Sequence, residues 1–301
     1  MRGFIIYPDY TTIDNVNYIQ LFGRLENNES FVTLSKFQPY FFIKKNDEKQ
    51  VERIIKEQEF KNKVKLEKTK LTTFNQEEVI KILPENQEIQ NKLAKAIHDE
   101  ELETFEADIK PYTRFIIDNN FLGAINIQGD YESSERISRI YKNPEIKPGN
   151  FEASEKIKLK VVSIDVESSK NEEKLFCIGL YGHNYKKNFM ITKNELYNTI
   201  SCKDEEECIK KFKQALIDLD PDIITGWNII DFDFNYLKQL FEKYKIKLDL
   251  GRTNDNSRIR IEENFFRNSS MDIPGRVVLD GLSFIKDPFI QEAPYIKNIK
   301  F

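Results

Sequence analysis

Hydrophobic and polar positions recur along this chain with two periods, and the changes of period mark its elements. Residues 18–25 and 30–37 read as paired strands joined by the turn-rich Glu26-Asn-Asn-Glu29, a hairpin, and residues 39–44 continue as a strand. Val51, Ile54 and Ile55 then fall at helical spacing within 51–59. Strands are predicted over 63–71 and 78–83, and Pro84 opens a helix through Ile97 with Ile89, Leu93 and Ile97 on one face. Residues 120–128 form a short extended piece, and 142–156, with Pro144, Pro148 and Gly149, read as a linker. Three strands follow, 158–166, 174–182 and 187–192, as an up-down-up antiparallel set. Helices over 204–219 (Ile209, Phe212, Leu216, Leu219) and 232–244 (Leu237, Leu240, Phe241, Tyr244) flank a short buried strand at 222–226. Residues 258–261 and 275–280 close the pattern as strands.

Two units follow from this order. Residues 1–150 form an RRM-like α+β domain with its linker, and 151–301 a ribonuclease-H-like domain with a mixed sheet. In the second unit Asp165-Val-Glu167 ends the apolar run 159–164. Residues i and i+2 of a strand share a face, so both carboxylates project together. Like charges held that close are costly unless a cation neutralises them, and oxygen-ligated divalent metals suit the task. Downstream, 226–237 carries Asp231 and Asp233 where a helix begins, and a helix N-terminus favours carboxylates. Asp233 in that first turn leans toward Asp165 and Glu167, whereas Asp231 suits an N-cap.

Composition narrows the chemistry. Forty per cent hydrophobic and 32% charged residues exclude wholesale disorder. A net charge of −4 gives no bulk attraction to nucleic acid, so such a partner must meet local basic surface. Three cysteines without a CxxC pair fit a reducing, cytoplasmic setting. With only His98 and His183, the sequence argues against a zinc site or a histidine-based nucleophile, and chemistry falls to carboxylates. No window approaches about 18 consecutive apolar residues, and the N-terminus turns polar too early for a signal peptide.

The motifs resemble those of a known family. Asp165-Val-Glu167 resembles the first exonuclease motif of family-B DNA polymerases, usually Asp-Ile-Glu, and 228–233 resembles their second, Asn-x-x-x-Phe-Asp. Similar surroundings include 220–228, Leu250-Gly-Arg252 and 275–280, and in the first unit Phe37-Gln-Pro-Tyr-Phe41, Glu106-Ala-Asp-Ile and 114–118, which are like archaeal members. The resemblance implies a DnaQ-type 3′→5′ proofreading exonuclease acting on a single-stranded or frayed 3′ end. Asp165, Glu167 and Asp233 would ligate two Mg²⁺ or Mn²⁺ ions about 4 Å apart, one generating hydroxide and one stabilising the leaving oxygen. Asn228 and Phe232 match positions that contact the primer end, Phe232 by packing on a base. Further contacts to the single strand fall to Arg258, Arg260 and Arg267. A template-uracil pocket is implied at Tyr10, Pro39, Tyr40 and Arg114, although Lys110-Pro-Tyr112 departs from the usual Pro-Phe run.

The family's third motif, Tyr-x-x-x-Asp, is expected past Phe301, since Tyr295 is followed at the required spacing by Ile299. The chain then corresponds to the N-terminal part of a polymerase, with the remaining chain or a separate subunit as partner and a sliding clamp met through the missing part. The competing reading is a non-catalytic DNA-binding module that recognises template uracil or docks a polymerase subunit. Blander roles are assigned to the basic run 49–70 and to Lys156, Lys158 and Lys160, all as solvated faces, and to Asp280 as a structural turn residue.

Overall fold

Two consecutive left-handed residues, Asp14 (φ 50°) and Asn15 (φ 63°), fold the start of the chain back on itself. They join strand β1 (Arg2–Ile13) to β2 (Val16–Leu25) in register from Gly3–Leu25 to Ile13–Val16, with the doubly positive φ that a tight hairpin needs. The computed structural model describes residues 1–58, 60–150, 157–169, 174–262 and 268–286. β2 pairs in turn with β3 (Ser30–Phe37), the predicted hairpin. Strand β1 is missing from the sequence reading because Pro8, Asp9 and Asp14 interrupt its alternation. Pro8 is tolerated because β8 (Ala124–Gln128) pairs with β1 only at Arg2–Phe4, leaving the rest of that edge open.

With β9 (Tyr131–Glu132), β10 (Arg139–Lys142) and β11 (Glu145–Pro148), these strands make a seven-stranded sheet ordered β11-β8-β1-β2-β3-β10-β9. The predicted linker therefore contains a paired strand, while 151–156 lie outside the described residues. Helix α3 (Pro111–Asp118), also unpredicted, lies against β1 and β2.

The RRM-like part is a smaller body within this region. Strand β4 (Phe41–Lys44), helix α1 (Glu48–Glu57), β5 (Val64–Thr72), β6 (Glu78–Pro84), helix α2 (Gln87–Asp99) and β7 (Thr104–Phe105) follow in βαββαβ order. Their sheet is ordered β5-β6-β4-β7, and Val51, Ile54, Ile89, Leu93 and Ile97 fill the layer beneath the helices. Pro84 ends β6 rather than opening α2. The cap is Asn86, whose side chain accepts the Ile89 N–H at 3.0 Å. We expect Asn86→Ala to lower stability by about 1 kcal/mol in urea denaturation, because that amide then has no partner.

The second sheet has six strands ordered β15-β14-β13-β12-β16-β19. β12 (Val161–Ser168), β13 (Leu175–Gly182) and β14 (Tyr185–Ile191) are antiparallel, while β16 (Ile223–Gly226) and β19 (Val277–Asp280) run parallel to β12. A short edge strand, β15 (Thr199–Cys202), adds to β14 and is absent from the sequence reading. Helix α4 (Glu205–Leu219) is capped by Asp204 and buries Ile209, Phe212 and Leu216. Helix α5 (Asn235–Lys243) packs beside it, burying Leu237, Leu240 and Phe241. A two-stranded ribbon, β17 (Arg258–Arg260) with β18 (Ser270–Asp272), and a last helix α6 (Gly281–Lys286) complete the described chain.

The two regions meet through acidic residues of the second. Arg24 on β2 forms a fork with the Asp222 carboxylate (Nε–Oδ2 3.0 Å, Nη2–Oδ1 2.8 Å), both groups buried. Arg136 donates to Asp249 at 2.7 Å, and the Tyr7 hydroxyl donates to Asp272. Around the first tie, Arg252 reaches Asp222 at 2.6 Å and Asp220 at 2.7 Å, and Arg276 reaches Asp220 at 3.1 Å. Burial works against the Asp220 charge, yet Arg252 and Arg276 hold its carboxyl below the usual range. Lys160, read as solvated, is instead half-buried beside this cluster, where its ammonium donates to Leu219 O; burial, then the Arg24 charge, push it down. Gly275 (φ 83°) seals the contact, since a Cβ there would lie 2.9 Å from both Arg252 and Phe22.

Candidate active site

Alternation along β12 buries Val162, Ile164 and Val166 and leaves Asp165 and Glu167 exposed on the opposite face. Across the ladder they sit opposite Gly179 and Cys177 of β13. The register slips just past Glu167, so the strand is bulged beside the carboxylate pair. Gly179 leaves the floor next to Asp165 low, and Cys177 adds a thiol pushed up first by burial, then by Glu167 and Asp165. Neither β13 residue stands out in the sequence, because only the ladder register brings them to this face.

The parallel neighbour β16 approaches closely, and a Cβ on Gly226 would stand 2.6 Å from Ile164 O. Asn228 then takes a left-handed conformation (φ 55°), which asparagine tolerates better than most side chains. Instead of starting an α-helix at Phe232, the chain makes a wide π turn over Ile230–Phe234, with Phe234 N bonded to Ile229 O at 2.8 Å. This turn sends Asp233 inward, 3% exposed, and leaves Phe232 37% exposed. Trp227, 62% exposed, flanks the turn. Asp231 faces outward and caps no helix through its side chain.

Asp233 Oδ1 accepts the Val166 N–H at 2.7 Å, the amide lying between Asp165 and Glu167 in sequence. The turn thus seats the Asp233 carboxyl on the backbone of the strand that bears Asp165 and Glu167. Burial, followed by the charges of Asp165 and Asp280, outweighs the Val166 bond and pushes Asp233 up to about 7. Asp280 is buried and accepts the N–H groups of Ile230 (3.1 Å), Leu282 (2.9 Å) and Ser283 (3.1 Å). It is the structural residue expected, joining β19 to the π turn and capping α6.

Among the described residues no three Asp, Glu, His or Cys side chains are gathered into a metal cage. The donor chemistry of Asp165, Glu167 and Asp233 nonetheless fits a hard divalent cation: all donors are oxygen, and the Asp233 carboxyl, raised first by burial and then by the Asp165 charge, is one whose ionised form a cation would favour.

The remaining predicted residues lie elsewhere on the surface. Arg258 lines a cleft of about 630 Å³ with Tyr7, Tyr10, Lys110, Tyr112 and Asp272. Arg260 pairs with Glu262 at 3.2 Å, and Arg267 lies outside the described residues. Tyr40, next to Pro39, has two cations over its ring, with Arg114 4.7 Å and Lys81 3.9 Å from the ring centre. Its hydroxyl donates to Asp118 at 2.9 Å, and burial, then that bond, push it up to about 12. Tyr10 instead packs against the buried cluster of the N-terminal sheet that contains Ile19, Leu21 and Phe31.

The family model for "DNA polymerase family B, exonuclease domain" matches residues 102–292. The chain belongs to DNA polymerase family B. Its six-stranded sheet with the Asp165 strand is the ribonuclease-H-like exonuclease domain of that family. Among curated relatives, the DNA polymerase of Methanocaldococcus jannaschii is 30% identical over 288 residues, 92% of this chain and 16% of that protein. DNA polymerase II of Escherichia coli (strain K12) is 28% identical over 204 residues, 65% of this chain and 24% of that protein. The chain therefore spans a quarter or less of these two relatives. The solved family B DNA polymerase of the hyperthermophilic archaeon Pyrobaculum calidifontis shares the fold, with a TM-score of 0.70 at 18% identity, covering 95% of this chain and 37% of that one. Among the described residues no helix is long and apolar enough to cross a membrane.

Proposed function

We propose that this chain removes the 3′-terminal nucleotide of single-stranded or frayed DNA as the proofreading part of a family-B polymerase. The observation that carries the reading is the Asp233–Val166 bond, which seats a buried carboxyl against the strand presenting Asp165 and Glu167. These three residues hold Mg²⁺ or Mn²⁺ in this reading, and the cation supplies polarisation of the scissile phosphate and acidification of water. Asp165 and Glu167 stay open to solvent for an incoming strand, while the Val166 amide fixes the third carboxyl. Phe232 offers a partly exposed ring on which a terminal base stacks, with Asn228 beside it and Arg258 and Arg260 as more distant cationic contacts. We further propose a division of labour near residue 150. The preceding region then contacts the template strand, with Tyr10, Pro39, Tyr40 and Arg114 as the candidate template-base site. The remainder of a polymerase and a sliding clamp are the proposed partners.

The test is release of label from 3′-labelled single-stranded DNA with Mn²⁺, Mg²⁺ or EDTA. Cation-dependent, stepwise loss from the 3′ end is expected. Tight DNA binding without any cation-dependent cleavage would instead favour the non-catalytic module. Phe232→Ala should raise the KM for such a strand by roughly 5- to 150-fold, the equivalent of about 1–3 kcal/mol of stacking.

A further inference from the structure

Asp222 sits where three strands of the exonuclease sheet begin, and every bond it makes is to one of their bases or to a guanidinium. Its N–H donates to Lys160 O at 2.8 Å, before β12, and its carbonyl accepts Val277 N at 2.9 Å, at the start of β19. Its carboxylate accepts Lys160 N at 2.8 Å. Those strands carry the whole candidate site. β12 bears Asp165 and Glu167, β16 runs only from Ile223 to Gly226 before the turn that places Asp233, and β19 ends at Asp280, which accepts the Ile230 N–H of that turn. Asp222 thus ties the bases of these three strands together where their ladders begin, at Val161–Ile223 and Ile223–Val277.

Two guanidiniums grip that residue. Arg252 belongs to the exonuclease region, whereas Arg24 reaches in from the N-terminal sheet, 1% exposed, with its fork on Asp222 and a further bond to Asp220 O at 2.7 Å. Charge balance does not require Arg24. Without it, Arg252 and Arg276 still face Asp220 and Asp222, and the Asp222 carboxylate still accepts from Arg252 and Lys160 N. Taking a guanidinium out of water costs free energy that its pairing often does not recover, so the ion pair alone is weak evidence that Arg24 adds stability. Arg276 marks the excess, because one of its terminal nitrogens is buried with no partner.

We propose that Arg24 is a positioning residue for the exonuclease carboxylates, coupling the N-terminal sheet to the site through Asp222. The inference rests on the proposed cleavage reaction. It predicts that the N-terminal region governs the geometry of the site rather than only adding DNA-binding surface. A displacement of β2 then shifts the bases of β12, β16 and β19 together, and a small misplacement of ligating groups is enough to slow a reaction about 10²-fold.

The experiment compares the full chain with its Arg24→Met and Arg24→Lys variants. Arg24→Met is expected to lower turnover on 3′-labelled single-stranded DNA about tenfold or more while KM stays within about twofold, since no DNA contact is removed. Arg24→Lys keeps the charge but not the fork and should recover only a small part. Wild-type turnover in Arg24→Met overturns the inference; should that variant fail to fold, the same readings on Arg24→Lys decide. If the wild-type chain itself does not cleave, the proposed reaction has failed, and amide exchange at Val166, whose N–H is held by Asp233, decides the coupling separately. Faster exchange in the Arg24 variant supports it, and equal exchange overturns it.

Discussion

Asp165→Ala is expected to reduce cation-dependent release of the 3′ nucleotide about 10³-fold or more, the equivalent of roughly 4 kcal/mol of lost transition-state stabilisation. The size follows from position. Asp165 is exposed on the outer face of β12, no side-chain hydrogen bond or ion pair ties it to the fold among the described residues, and its charge is felt at Asp233. The same exposure predicts a thermal midpoint essentially unchanged, within the about 0.5 kcal/mol typical of surface substitutions. A variant that melts normally and cleaves at the wild-type rate would remove Asp165 from the chemistry. Single-turnover assays give the rate, and Mn²⁺ titration followed by electron paramagnetic resonance shows whether the loss coincides with weakened cation binding.

Asp222→Ala should have the largest effect on stability. It removes the acceptor of the Arg24 fork, of Arg252 and of the Lys160 amide, leaving buried guanidiniums to share Asp220. Breaking a buried ion pair from one side costs about 3–5 kcal/mol. At roughly 2–4 °C per kcal/mol for a chain of this class, the midpoint should fall by roughly 6–20 °C. Asp231→Ala, an exposed acid two residues from Asp233, is the control and should leave the midpoint unchanged. The cluster also contributes to stability in acid. Asp220 is held below its ordinary value of 3.8, so its contribution is complete above that pH and is lost as the pH falls through the lower folded value. Acid titration followed by circular dichroism, compared with a variant lacking the Asp220 carboxyl, should therefore show this contribution intact above the ordinary value of 3.8 and lost only below it.

What the sequence reveals divides along a physical line. Periodicity located α1, α2, α4 and most strands, because their buried positions are aliphatic or aromatic and repeat at the spacing of the element. The pairing of Asp165 with Glu167 was legible for the same reason, since the apolar residues that alternate with them along the strand fix the face. The approach of Asp233 was legible as a motif but not as a geometry. The π turn depends on one extra residue per turn, and no polar pattern marks that residue. β1 and β15 escaped because Pro8 breaks one and the other is a four-residue edge strand. The Arg24 cluster was invisible for a deeper reason. Its members lie at 24, 220, 222, 252 and 276, and although the segments around the last four resemble the family's, nothing local says that these charges meet. Only their convergence makes burial affordable, and convergence is a property of the fold.

The exposed indole beside the π turn has a practical consequence. Trp227 is the chain's single tryptophan and stands between β16 and the turn that seats Asp233. Emission excited at the red edge of protein absorbance therefore arises from one place, within a few residues of the candidate ligands. Quenching by a paramagnetic cation, or a spectral shift as a strand arrives, can be assigned to that place without labelling, so the protein carries its own optical reporter of the site.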